Sequence, residues 1–174
     1  MKRLLLLRHA KAVPGGPKID DHTRALAERG RRDAPTIGRY MVKHVLRPDL
    51  VLSSTSKRTV ETSELAFAEF EKKPETEYLE ALYLAEPEAI LSIVRRVPRK
   101  QDTLCIVGHN PGLEVAASLL AREPVRRKER DYFDAIEEKF PTCALAVLDF
   151  DVGQWRFVEA GQGTLKDFVR PRDL

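Results

Sequence analysis

With 174 residues, 43% of them apolar and 33% charged, the chain is long enough for one domain with a real core and has the balance of a folded, water-facing protein. Its net charge of +3 supports modest attraction for anions but is too small to mark a nucleic-acid binder. No apolar run approaches the roughly 18 residues that a helix needs to span a bilayer, so no membrane-spanning helix is expected.

Export is not expected either. Leu4–Leu7 is far too short for a signal core and Arg8 interrupts it, which leaves a cytoplasmic home as the default. Cys105 and Cys143 each sit inside an apolar run and form neither a disulfide framework nor a metal-ligand spacing. No metal and no cofactor are expected. Without an internal repeat or a low-complexity linker, residues 1–174 read as one domain.

In chain order, Arg3–Arg8 reads as a strand covered on both faces, because its apolar run is continuous rather than alternating. Ala12–Asp21 is a loop broken by Pro14, Gly15, Gly16 and Pro17. Ala27–Val45 predicts a helix with Ile37, Tyr40, Met41, Val42 and Val45 on its apolar stripe, and Pro35 implies a kink or a later start. Leu50–Ser53 is the second strand. A helix capped near Ser56 follows, running through Val60, Leu65 and Ala68 toward Phe70. Thr76–Leu79 predicts a short strand, Pro87–Val97 a helix and Thr103–Val107 a buried strand. Asn110 and Pro111 predict an N-cap and a first-position proline for the next helix. Arg122–Pro141 reads as polar and irregular, with at most one short helical turn. Cys143–Phe150 and Gln154–Ala160 predict the strands of a hairpin turning at Asp151-Val152-Gly153, with Trp155 packed in it. This order predicts a layered α/β domain with a mainly parallel sheet.

Three segments share one pattern: an apolar run, a basic residue, then a turn or helix start. They are Leu4–Leu7 into Arg8-His9, Leu50–Leu52 into Ser53–Arg58, and Leu104–Val107 into Gly108-His109-Asn110-Pro111. In a parallel sheet their basic groups meet at the carboxyl edge, where open α/β sheets bind ligands. Nearby Arg8 and Arg58 disfavour protonation of His9 and leave it available as a nucleophile. Guanidinium forks match phosphate oxygens, and hydroxyls at a helix start add donors. Each group has a plainer reading: a strand-end salt bridge, a solvated helix charge, a core histidine. Their coincidence favours an anion site. Asp20, Asp21 and Arg24 read as a loop-stabilising ion pair ahead of a part in substrate binding, and His22 and His44 as ordinary exposed positions. The basic clusters Arg95–Lys100 and Arg126–Arg130 lack interleaved aromatics and read as solvated, with an acidic docking partner left open.

Taken together, LLLLRHAKA from Leu4, LAERGRRDA from Leu26, DLVLSSTSKRTVETSEL from Asp49, LCIVGHNPGLE from Leu104 and FPTCALAVLDF from Phe140 resemble the histidine phosphatase superfamily. The closer likeness is to its small SixA-type phosphohistidine phosphatases, and it spans nearly the whole chain. The resemblance implies a phosphoglycerate mutase-like fold, a three-layer α/β/α arrangement around a mainly parallel sheet. It makes His9 the phosphate-accepting nucleophile and Arg8, Arg58 and His109 the rest of the phosphate pocket, with Ser54 and Asn110 as further phosphate contacts. No metal or cofactor is needed. Larger relatives carry a carboxylate after the middle segment; Glu80, in TEYLEALYLAEP, stands there as a proton donor or as an exposed strand-end carboxylate. Ala10 replaces the superfamily's usual glycine, which requires a negative φ. The short segments Ala12–Arg24 and Arg122–Pro141 imply an open pocket. The implied partner is a phosphorylated protein or a small phosphoester. A broad phosphomonoesterase and a non-catalytic phosphate-binding module are the alternatives, and oligomeric state is open.

Overall fold

Leu4–Leu7 lies fully buried at the heart of the molecule, inside strand β1 (Lys2–Arg8). The computed structural model describes all 174 residues. After β1 come α1 (Glu28–Lys43), β2 (Leu50–Ser54), α2 (Lys57–Phe67), β3 (Glu75–Leu79), α3 (Pro87–Arg95) and β4 (Thr103–Gly108). The chain ends with α4 (Gly112–Leu120), α5 (Arg127–Glu138), β5 (Leu145–Phe150) and β6 (Thr164–Val169). No helix is long and apolar enough to cross a membrane.

The six strands form one sheet in the order β3-β2-β4-β1-β5-β6. The run β3-β2-β4-β1 is parallel, and β5 is antiparallel to both its neighbours. Successive residues of a strand face opposite sides, and both sides are covered. Leu5, Leu7, Val51, Cys105 and Val107 face α1 and α2, where they join Ile37, Met41 and Phe67. Leu4, Leu6, Leu52 and Ile106 face the other way and join Ile90 and Val94 of α3, Leu113 of α4 and Ile136 of α5. The result is the three-layer α/β/α arrangement with a mainly parallel sheet.

Four expectations are corrected. Arg122–Pro141 is not irregular, because α5 occupies most of it. Glu129 anchors its start by accepting from the Val125 N–H at 3.1 Å and pairing with Arg122 at 2.9 Å. Its apolar face is narrow, made of Tyr132, Phe133, Ala135 and Ile136. Gln154–Ala160 is not a strand. Trp155 is fully buried and donates from Nε1 to the Gln101 carbonyl at 2.7 Å, which draws the chain into a short 3-10 turn. The hairpin partner is instead β6, after a longer connection. Pro111, not Asn110, occupies the N-cap of α4. Finally, Val42 and Val45 are exposed, and α1 buries Gly30, Ala34, Ile37, Gly38 and Met41. Pro35 is accommodated within this helix.

Small residues on that stripe let α1 approach its neighbours closely. A Cβ at Gly38 would lie 2.1 Å from the Ala66 carbonyl oxygen in α2. Gly38→Ala is therefore expected to destabilise the fold by about 2 kcal/mol, read as a lower urea midpoint with an unchanged m-value.

Candidate functional site

Register brings the three predicted segments together. Arg8 ends β1 directly opposite Gly108, the last residue of β4. The following His9 donates its backbone N–H to the Gly108 carbonyl at 3.0 Å. The rings of His9 and His109 then lie 5.3 Å apart between centroids. Ser53 of β2 pairs with Val107 of β4, so the turn into α2 opens at the same edge. Ser56 caps α2, its Oγ accepting from the Thr59 N–H at 3.4 Å, and Arg58 sits in the first turn, 2% exposed.

The face of α2 toward the site is unusually rich in hydroxyls: Thr59, Thr62 and Ser63 are all buried. Thr62 donates to the Arg58 carbonyl at 2.6 Å and accepts from the Ala10 N–H at 2.9 Å. One threonine thus ties the backbone after His9 to the backbone of Arg58. Ala10 is absent from the residues of positive φ, so its replacement of glycine leaves the loop unstrained.

Hydrogen-bond bookkeeping assigns both imidazole tautomers. His9 Nδ1 lies 2.7 Å from the Ala10 carbonyl, which only accepts, so Nδ1 carries the proton and Nε2 the free lone pair. His109 Nδ1 lies 3.2 Å from Arg58 Nη2, which only donates, so Nδ1 accepts and Nε2 donates to Ser54 Oγ at 2.8 Å. Both rings are held well below the usual range, at about 3. For His9 burial is the largest cause, reinforced by Arg58, His109 and Arg8 and opposed by the Ala10 carbonyl. For His109 burial leads again, followed by Arg58, with Asp21 opposing.

Arg8 donates from Nη1 to the Phe140 carbonyl at 2.9 Å. Arg58 donates to the Asp21 carbonyl at 2.7 Å and to the Asp21 carboxylate at 3.0 Å. The Nε–H groups of both arginines are buried and have no partner.

The structure brings Arg8, His9, Arg58 and His109 into one cluster. Ser54 is fully buried and acts on the ring of His109. The Asn110 side chain donates to Glu114 at 2.8 Å and to the Phe140 carbonyl at 2.9 Å, bracing the acceptor that Arg8 also uses. Glu80 stands apart at the rim, 71% exposed, accepting from the Thr55 hydroxyl. His22 is not an ordinary exposed position. Its Nε2 lies 2.9 Å from Thr55 Oγ1, and its ring meets Tyr83 edge-on at 4.7 Å. Because the single Thr55 proton goes to Glu80, His22 donates to Thr55. His44 is exposed and stacks on Tyr40.

Asp21, Tyr83 and Thr62 complete the surroundings; the sequence offered Asp21 for an ion pair or for substrate binding, but singled out neither Tyr83 nor Thr62. Asp21 does pair with Arg24 at 3.0 Å, as a loop ion pair would. Its other oxygen accepts from both Tyr83 and Arg58, and these bonds, Tyr83 first, hold its carboxyl down at about 2. Tyr83 also lies edge-on to the His109 ring at 5.5 Å. The signal was chemical rather than positional: a buried arginine needs a carboxylate partner. No three His, Cys, Asp or Glu side chains gather into a metal-ligand set.

No family model matches the chain. Among curated relatives, an uncharacterised protein of Mycobacterium tuberculosis is 37% identical over 167 residues, which cover 95% of this chain and 100% of the relative. A solved SixA chain of Agrobacterium tumefaciens, assigned provisionally as a phosphohistidine phosphatase, is 31% identical with a TM-score of 0.79 over 98% of both chains. A second such SixA, from Nakamurella multipartitia, is 26% identical with a TM-score of 0.83, covering 98% of this chain and 96% of that one. The protein histidine phosphatase SixA complexed with tungstate shares the fold, at 16% identity and a TM-score of 0.77 over 98% of both chains.

The depressed imidazoles predict how stability responds to pH. Unfolding returns both rings from about 3 to their ordinary 6.5, so below that pH the unfolded state binds more protons. Stability is full above about pH 6.5 and falls as the pH drops toward the folded values. Urea titrations between about pH 4.5 and 6 should show wild type taking up about two more protons on unfolding than the His9→Gln/His109→Gln double variant. Equal slopes would mean that the rings titrate normally in the fold.

Proposed function

The chain belongs to the histidine phosphatase superfamily, in its SixA-type branch, and from that premise we propose that it removes phosphoryl groups from protein phosphohistidine through a covalent intermediate on His9. The carrying observation is the pair of buried, unpartnered Nε–H groups of Arg8 and Arg58 beside a neutral His9. Buried donors are rarely left unpaired. A bound phosphoryl group supplies the acceptors and receives two positive charges.

The steps follow from the assigned tautomers. His9 Nε2 attacks phosphorus in line with the departing nitrogen of the substrate ring. The P–N bond breaks, and its electron pair returns to a ring already protonated on its other nitrogen, which leaves as neutral imidazole. The new positive charge on His9 is stabilised by the Nδ1–H bond to the Ala10 carbonyl. Water then displaces Nε2 from phosphorus, its protons remain on the released phosphate, and the lone pair of His9 is restored. Arg8 and Arg58 neutralise charge on the transferring oxygens, the neutral His109 ring lies beside His9, and Ser54, Asn110, Asp21, Tyr83 and Thr62 hold these groups in place. Because the substrate ring brings its own proton, Glu80 at the rim is not required for this leaving group. For an alkoxide leaving group it would be the proton donor, the role that a phosphomonoesterase would give it. The two guanidinium groups take the electrostatic role, so the reaction is proposed to need no metal and activity should survive EDTA.

His9→Ala should abolish turnover. Arg58→Ala should lower kcat/KM by about 100-fold or more, mainly through kcat. Wild type should hydrolyse phosphohistidine protein with a higher kcat/KM than para-nitrophenyl phosphate. The reverse ranking would favour the small phosphomonoesterase, and full turnover by His9→Ala would place the nucleophile elsewhere.

A further inference from the structure

A cavity of about 580 Å³ reaches the rim of the phosphate site without being lined by Arg8, His9, Arg58 or His109. Its near end is Glu80, which the Thr55 hydroxyl links to the turn bearing Arg58. From there it runs between the edge strand β3 and helix α3 toward Pro98. Leu50, Leu52, Leu79, Ile93 and Val97 give it an apolar floor and walls. Leu79 and Ile93 stay half-buried, so the interior of the fold does not use them up.

The far end is basic. Arg96 lines the cavity, and Arg99 and Lys100 follow it in the turn toward β4; all three are exposed. None of them forms an ion pair within the chain. The run of basic residues that stood out in the sequence as a solvated cluster therefore ends a groove that begins at the rim of the phosphate site. β3 has five residues. At roughly 3.3 Å each, they run beside the groove for about 16 Å.

We infer that this groove seats a segment of the phosphoprotein substrate whose apolar side chains fill the cavity and whose carboxylates face Arg96, Arg99 and Lys100. The inference rests on the phosphatase reading and adds the chemistry of the protein that it acts on. The link from Glu80 through Thr55 to the turn bearing Arg58 selects the substrate itself as occupant, and the unpaired cations select one whose carboxylates lie at the far end, away from Glu77 and Glu80. A substrate so held gains affinity from the groove, while a small phosphate compound gains none.

The test uses two short fluorescein-labelled peptides carrying a non-hydrolysable phosphohistidine analogue, one flanked by Leu and Glu, the other by Ser and Lys. Fluorescence anisotropy should show the Leu/Glu peptide binding the whole protein at least about fivefold more tightly. Arg96→Glu, at an exposed position without a structural partner, should erase that preference, and Ile93→Asp should weaken the Leu/Glu peptide alone. Equal binding of the two peptides, or a preference that survives Arg96→Glu, would overturn the proposal. So would a dimer at assay concentration that Ile93→Asp dissociates, since a second copy would then fill the groove. Hydrolysis of phosphoramidate, which cannot reach the groove, should be unchanged in both variants. Its absence in wild type would count against the phosphatase reading, while the peptide preference is read separately.

Discussion

An imidazole enclosed with guanidinium groups and cut off from water cannot keep a second proton. At the carboxyl edge of this sheet that requirement organises everything nearby. Burial and the charges of Arg58 and Arg8 hold His9 neutral, and the Ala10 carbonyl fixes its remaining proton on Nδ1. The free lone pair then points away from the backbone by default. His109 obeys the same rule in mirror form: Arg58 claims Nδ1, Ser54 claims the proton on Nε2. Two guanidinium groups, only one of them paired with a carboxylate, stand beside two neutral bases and favour an anion between them, as the proposed phosphoryl transfer requires.

The fold supplies this arrangement through strand order rather than through any long-range wiring. With β1 and β4 adjacent and in register, Arg8 faces Gly108, and one further residue on each chain brings His9 and His109 side by side. β2 on the other side of β4 delivers Ser54, and the cap at Ser56 delivers Arg58. Thr62 and Asp21 then lock the arginine to the two loops that flank it. Mutations at these supports should therefore act through the geometry of Arg58 and not through a loss of fold.

The parts legible in the sequence are those where one local rule was enough. β1, β2 and β4 are doubly covered parallel strands, so they appear as unbroken apolar runs that stop at Arg8, Ser53 and Gly108. The residues that follow such runs are the tetrad, and topology alone brings them together. α5 was illegible because a helix docked by one narrow stripe looks like a polar loop. β6 was missed because the apolar residues around Trp155, which enter the core from a short 3-10 turn, mimicked a strand ten residues too early in the chain. Asp21 and Tyr83 meet across 62 residues, so their joint hold on Arg58 leaves no local trace. His22 joined the rim for the same reason.

The claim at the centre of this account concerns one atom. If His9 keeps its proton on Nδ1, phosphate must attach to Nε2. Enzyme mixed with excess phosphoramidate and quenched in alkali within milliseconds, where phosphorus–nitrogen bonds survive, can be examined by ³¹P–¹H correlation NMR of the peptide carrying residue 9. The account predicts phosphorus on Nε2 of His9. Phosphorus on Nδ1 of that ring, or on His109, would contradict it.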